Sequence, residues 1–372
     1  MKRIVLSLLI VLGVFTGATA QKANMDARKL QLALFAISNL YVDSTSETKL
    51  VEDAIVGMLD KLDPHSNYMD PEETKEMTEP LQGNFDGIGI QFNMLTDTLY
   101  VIQVIPGGPS EKVGLMAGDR IVTVDDSLFV GKKVTNERAM RTLKGPKGSQ
   151  VKLGVKRMGE KDLLSFTITR GDIPQNTVDA AYMLNDEIGY VKVSKFGRTS
   201  HVELLNALAQ LNHKKCKGLI IDLRGNTGGY MEAAIRMVNE FLPEGKLIVY
   251  TQGRKYPRAE EFANGTGSCQ KMPLVVLIDE GSASASEIFT GAIQDNDRGT
   301  VGKGLVQQPI DFSDGSAIRL TIARYYTPAG RCIQRPYESG KDRNYELDLF
   351  NRYEHGEFFS RDSIKQNENE LY

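Results

Sequence analysis

The sequence predicts a multidomain α/β protein: a helical N-terminal region, then a small β domain, then a layer of alternating strands and helices. Three observations carry that expectation. Apolar residues recur at helical spacing up to about Pro80, at strand spacing from Gly83 to about Arg170, and in alternating strands and helices after residue 171. A chain of 372 residues has room for two or three such domains.

The first twenty residues have the three parts of a secretory signal: Lys2 and Arg3, an apolar run from Ile4 to Phe15, and the small residues Ala18-Thr19-Ala20 at a cleavage site. Residues 1–20 are therefore expected to be removed, leaving a soluble secreted or periplasmic protein. No Cys follows the cleavage site, which argues against a lipid anchor there. In an oxidising compartment Cys269 and Cys332 are able to pair.

Leu30, Leu32, Leu34, Ile37 and Leu40 suggest one helix, and Val51, Ile55, Met58 and Leu62 a second, which Asp63-Pro64 stops. Short β runs follow at Leu99-Val101 with Val104-Ile105, Ile121-Val124, Val151-Val155 and Leu164-Ile168, and Thr135 can cap a helix running through Leu143. Beyond residue 171 the strands Ile188-Val193, Leu219-Leu223, Leu247-Tyr250 and Leu274-Ile278 alternate with helices across Val202-Leu211, Met231-Leu242 and Ala285-Gln294. The unbroken apolar run Leu274–Ile278 suggests a strand buried on both faces.

Composition excludes several classes of function. Against 45 Lys and Arg stand 48 Asp and Glu, a net charge of -3, so no global positive field attracts nucleic acid. Three cysteines and four histidines, without His-Glu-x-x-His, make neither a zinc site nor a disulfide framework, and no metal or cofactor is expected.

In the β domain, Gly87-Ile88-Gly89-Ile90 precedes a strand, and glycines there allow successive N–H groups to converge on a carboxylate. If the following strand has a free edge, a peptide can add to it with its terminal carboxylate in that nest. In the α/β layer, Leu274–Ile278 runs through the sharp turn Glu280-Gly281-Ser282 into a helix. That geometry presents serine at a helix N-terminus, where developing negative charge is favoured. Ser282, Ser284 and Ser286 are all candidates by spacing, and Ser284-x-x-Glu287 also reads as a capping box.

A serine nucleophile needs a base. His65, His201, His213 and His355 stand beside no obvious carboxylate in the sequence, whereas Lys303, between Gly302 and Gly304, has no neighbouring charge. A desolvated lysine can serve as that base. The glycine-rich turn Arg224-Gly225-Asn226-Thr227-Gly228-Gly229 after the strand Leu219–Leu223 offers N–H groups for an oxyanion. Asp295 lies eleven residues past Ser284. At about 1.5 Å per helical residue it is roughly 16 Å away, too far to touch the hydroxyl, so its role is structural.

The Gly87–Ile90 loop, the segment Gly114-Leu115-Met116-Ala117-Gly118-Asp119-Arg120-Ile121 and the helix Asn136–Leu143 resemble a PDZ domain. From about Met58 to Tyr337 the chain resembles the C-terminal processing (tail-specific) serine peptidases. The motifs are Leu62-Asp63-Pro64-His65-Ser66-x-Tyr68-Met69, Asp222-Leu223-Arg224-Gly225-Asn226 with Gly228-Gly229, Ser282 to Ile288, Gln294-Asp295, Gly302-Lys303-Gly304-x-Val306-Gln307 and Ala323 to Pro328. The resemblance implies a crotonase/Clp-protease-like α/β serine protease core. It implies Ser284 as nucleophile, Lys303 as base, Gln307 orienting the lysine, and oxyanion donors near Gly228 and Gly229 and at Ala285. It also implies peptide binding at Gly87, Ile88, Gly89 and Ile90.

The implied organisation is a signal peptide at 1–20, a helical region at 21–82, a PDZ domain at 83–170, a protease core at 171–337 and a polar segment at 338–372. The expected partners are proteins or peptides with exposed C-termini, no nucleic acid, and a second copy of the chain as a candidate. Two features depart from the family. Only Gly299-Thr300-Val301 separates Arg298 from Gly302, about half a dozen residues short, and Thr227 stands where proline is common. The end at Tyr372 also reads as truncated. The shortened run raises a rival, a tail-binding protein of the same fold with impaired catalysis. A crotonase-type acyl-thioester enzyme is a second rival, disfavoured by the PDZ resemblance.

Overall fold

The computed structural model describes residues 25–95, 97–131, 134–298, 308–332 and 354. The chain forms two compact units, one from Met1–Asp70, Gln308–Thr321 and Tyr337–Ile364, the other from Pro71–Gln307, Ile322–Pro336 and Lys365–Tyr372.

In the first unit residues 25–40 are helical, and a second helix spans Glu47–Leu59. The Ser46 hydroxyl caps it by accepting from the Lys49 N–H. The turn at Asp63-Pro64 follows: the Asp63 carboxylate accepts from the N–H groups of His65 (2.9 Å) and Ser66 (3.0 Å) and from the hydroxyls of Ser66 (2.6 Å) and Thr321 (3.0 Å). The strands Asn67–Met69, Ala317–Leu320 and Gln308–Asp311 form a three-stranded antiparallel sheet.

The second unit opens with the helix Pro71–Gln82, which has Pro80 in its last turn. That helix falls inside the region expected to be helical up to about Pro80, although no periodicity marks its own bounds. In the small β domain the strands Ile90–Leu95, Thr98–Val104, Arg120–Val124, Gln150–Lys156 and Leu164–Thr169 pair in that order, with Ser127–Leu128 paired to the third. Alternate side chains enter its core, where Leu99, Ile121, Leu153, Val155 and Ile168 are fully buried. Thr135 caps the helix Asn136–Leu143 as expected, accepting from the Arg138 N–H at 3.2 Å.

The α/β layer has the strand order Val178–Met183, Ile188–Val193, Gly218–Asp222, Leu274–Leu277. Its first pair is antiparallel and the others are parallel. The helices Ser200–His213, Met231–Val238 and Ala285–Asp295 contribute to its core, where Phe289 meets Phe196 and Phe241 at ring-centroid distances of 6.2 and 5.8 Å. A second sheet is made of Ala259–Phe262, Leu247–Gln252 and Arg324–Tyr326.

One expectation is corrected and one open pairing is answered. Among the described residues Leu274–Leu277 ends the strand order, and Val275 is 53% exposed, so the strand is not buried on both faces. Cys269 and Cys332 are not paired: Cys269 is buried in the α/β core, Cys332 lies in a bridge to Tyr326, and neither they nor Cys216 is in a disulfide. Among the described residues no helix is long and apolar enough to cross a membrane.

Candidate active site and peptide groove

Parallel pairing of Gly218–Asp222 with Leu274–Leu277, in register Leu219↔Leu274 to Asp222↔Leu277, brings the C-terminal ends of the two strands side by side. The turns that follow them therefore meet, as is usual for sites on parallel sheets. The Gly225 N–H donates to Asp279 Oδ1 at 2.8 Å, and the Ala283 N–H to Asn226 O at 3.0 Å. The Gly225 and Gly281 N–H groups and the Ser282 hydroxyl hold the Asp279 carboxyl below the usual carboxylate range against the opposing effect of burial.

Asn226 is fully buried and ties the two turns together. Its amide donates to Val193 O (3.0 Å) while its Oδ1 accepts from the Gly228 N–H (2.9 Å). Its carbonyl also accepts from the Ser286 hydroxyl at 2.7 Å. The sequence marks it only as a member of the motif Asp222-Leu223-Arg224-Gly225-Asn226, without this tying role.

The three serines have different environments. Ser282 is 6% exposed and donates to Leu223 O (2.9 Å) while accepting from the Asp279 N–H (3.0 Å). Ser286 has no exposure and spends its hydroxyl on Asn226. Ser284, at the N-terminus of Ala285–Asp295, is only partly buried and has φ 55° and ψ -113°. A left-handed backbone at a non-glycine costs about 1–3 kcal/mol and persists only where its surroundings enforce it. Here the Glu287 carboxylate takes the Ser284 backbone N–H from the next turn.

Gly228 (φ +105°) and Gly229 (φ +140°) sit where side chains cannot. A Cβ on Gly228 would lie 2.7 Å from both Ala283 O and Ser284 Cβ, and one on Gly229 would lie 2.3 Å from Phe196 O. The Gly228 N–H is engaged by Asn226, as above. The Ala285 N–H opens its helix, where no preceding helical turn can accept from it. Lys303 and Gln307 lie outside the described residues.

Asp295 accepts from the Ala329 N–H at 2.8 Å and pairs with Arg331, well away from the helix start. His201 does have a carboxylate partner, contrary to expectation: Glu240 Oε1 is 3.0 Å from its Nε2. The two are 39 residues apart, and only the fold of the chain reveals the pair.

Beneath the glycine turn, Asp222 is 1% exposed and accepts from Tyr190 Oη (2.6 Å) and Arg224 Nη2 (2.7 Å), with Lys192 at 3.4 Å. Burial pushes the Asp222 carboxyl up, but the bonds from Arg224 and Tyr190 outweigh it and hold the carboxyl far below its ordinary range. Burial and the neighbouring Asp222 push the Tyr190 phenol up.

In the β domain, Ile90–Leu95 pairs with Thr98–Val104 and stands at the end of the strand order, so among the described residues no strand pairs with its other edge. The Ile88 and Gly89 carbonyls turn inward, accepting from the N–H groups of Ser110 and Ile105 at 3.0 Å each, and Gly89 has φ +77°. A cavity of about 130 Å³ is lined by Gly87–Ile90 with Phe85, Phe92, Met140, Leu143 and Lys144. The expected helix Asn136–Leu143 supplies one wall through Met140 and Leu143. Phe85 and Lys144 were not anticipated.

Comparison with known proteins follows the same division. The family model described as peptidase family S41 matches residues 187–344, the PDZ domain model residues 87–169, and an activating protease CtpB N-terminal domain model residues 14–74. The chain is similar to a carboxy-terminal-processing protease of Bartonella bacilliformis, 38% identical over 320 residues, covering 82% of this chain and 73% of the relative. It is also similar to carboxy-terminal processing protease CtpB of Bacillus subtilis, 34% identical over 335 residues, covering 86% of this chain and 69% of the relative. Among solved structures, a photosystem II D1 C-terminal processing protease is 28% identical, covers 82% of this chain and 89% of its own, and has a TM-score of 0.45.

Proposed function

The chain belongs to the S41 family of C-terminal processing serine peptidases and carries a PDZ domain, and from that premise we propose a Ser-Lys endopeptidase that captures apolar protein tails in its PDZ groove. The fold is the multidomain α/β arrangement of a helical N-terminal region, a PDZ domain and a protease core. Secretion or residence in the periplasm belongs to the same reading and rests on the signal-like residues 1–20.

One observation supports Ser284 above its neighbours. Ser282 and Ser286 spend buried hydroxyls on backbone carbonyls, whereas Ser284 is partly exposed on a strained turn at a helix N-terminus. In the proposed reaction neutral Lys303 takes the Ser284 proton as Oγ attacks the peptide carbonyl. The resulting oxyanion lies near the N–H groups of Gly229 and Ala285. The amine then leaves with the proton from Lys303, and water, activated by the same lysine, hydrolyses the ester. Gln307 orients the lysine in this scheme.

The test is incubation with an unfolded protein bearing an apolar tail, read by mass spectrometry. Cleavage that disappears in Ser284→Ala supports the reading, and cleavage that survives overturns it. The short run Gly299-Thr300-Val301 favours a second reading, tail binding with impaired catalysis, which the absence of products from the unmodified chain would support.

A further inference from the structure

Two backbone bonds bracket Gly229, the proposed oxyanion donor of the glycine turn. The Phe196 N–H donates to Gly228 O at 2.9 Å, and the Tyr230 N–H donates to Phe196 O at 2.7 Å. This parallel bridge between Phe196 and Gly229 uses neither polar group of Gly229 itself, so the Gly229 N–H turns away from Phe196. Its direction is therefore set by two chain segments, one running through Phe196 and one through Tyr230. Phe196 also meets Phe289 of the serine helix, at a ring-centroid distance of 6.2 Å.

The end of the helix Pro71–Gln82 holds both segments. Leu81 O accepts from the Arg198 N–H at 2.9 Å, two residues past Phe196. Gly83 (φ +88°) sits so close to Thr199 that a Cβ would lie 2.7 Å from its Cγ2. Between these contacts Gln82 Nε2 donates to Tyr230 Oη at 3.2 Å, a bond across 148 residues of sequence. Both side chains are partly buried, and Tyr230 packs against the α/β core. The contacts of Leu81 and Gly83 are made by backbone, whereas the bond to Tyr230 requires this particular pair of side chains. It fastens the residue that directly follows Gly229.

We propose that Gln82 and Tyr230 are positioning residues that aim the Gly229 N–H at the oxyanion. This goes beyond the peptidase reading and rests on it. The helix end fixes the Phe196 segment through Arg198 and the glycine turn through the Tyr230 phenol, so the donor is in place before the carbonyl oxygen becomes charged. A donor aimed in advance needs no reorganisation during the reaction, and a site of this kind has to be held to within about 0.5 Å. The pair acts on the charged intermediate rather than on the bound tail. Its loss therefore slows the chemical step and leaves ground-state affinity alone.

The experiment uses the full chain and a serine-reactive fluorophosphonate. Ser284 Oγ bonds to phosphorus as fluoride leaves, and the phosphoryl oxygen takes the place of the oxyanion. Labelling rates across probe concentrations separate probe affinity from the rate constant of bond formation. Tyr230→Phe and Gln82→Leu should each lower that rate constant about 3- to 10-fold, the scale of one hydrogen bond, with probe affinity moving less than about twofold. The double variant should be no slower than the slower single one, because both remove the same bond. Gln82→Glu should keep the parent rate, since the phenol hydroxyl can donate to its carboxylate. Unchanged rate constants in both single variants, losses that add in the double variant, or no rescue by Gln82→Glu overturns the proposal and leaves the peptidase reading intact. A parent that is not labelled at Ser284 overturns that reading and the proposal with it.

Discussion

Gly228 lies directly against Ser284: a Cβ on the glycine would stand 2.7 Å from the serine Cβ and 3.0 Å from the Ala285 nitrogen. The glycine turn and the start of the serine helix are therefore in van der Waals contact, with no room for one more carbon. Gly228→Ala must push the two apart, and its φ of +105° adds strain. We expect peptidase activity to fall by at least about 100-fold, the scale of losing an oxyanion donor, while tail affinity is unchanged. Initial rates and peptide titrations on the same preparation check both halves.

Ser284→Gly and Ser284→Ala should both abolish cleavage yet differ in stability. Glycine relieves the left-handed backbone at position 284 and alanine does not. The glycine variant should be more stable than the alanine variant by about 1 kcal/mol, after allowing for glycine's greater unfolded-state entropy. Urea unfolding at neutral pH measures the difference.

Asp222 makes stability depend on pH in a defined direction. Its folded-state carboxyl is held below the ordinary range, so in acid the unfolded chain takes up the proton first. The stabilisation is complete above the unfolded value of about 3.9 and is lost as pH falls below it toward the folded value. Asp222→Asn should lower stability at pH 7 and flatten the decline between about pH 5 and 2. Denaturation midpoints of both proteins across that interval test it.

Much of this architecture was legible because local signals agreed with burial. Ile188–Val193 emerged as expected since its apolar residues alternate into the core, and Thr135 announced its helix by cap chemistry. Pro71–Gln82 falls inside the region expected to be helical, but its own bounds were illegible because its first turns are acidic and unpatterned, and Ala259–Phe262 was missed because every residue of that strand is exposed. At the candidate site, spacing could not separate three serines. Their distinction depends on Asn226 and Leu223 carbonyls about sixty residues away in sequence. The pairs His201–Glu240 and Lys144–Glu79 were illegible for the same reason, since long-range ion pairs leave no periodic trace.

The shortened run before Lys303 should limit the rate. Each missing residue removes up to about 3.5 Å of reach, and a lysine base must come within about 3 Å of the hydroxyl. Inserting about six residues between Thr300 and Gly302 should raise activity, and the gain should vanish with Lys303→Ala. An insertion that leaves the rate unchanged would show that the run is not limiting.

The nucleophile itself can be read without knowing the natural substrate. Incubating the chain with a serine-reactive fluorophosphonate and mapping the modified peptide identifies which hydroxyl is activated. Modification at Ser284, absent from Ser284→Ala, is the expected result. Modification at Ser282 or Ser286, or labelling that persists in Ser284→Ala, would contradict the assignment.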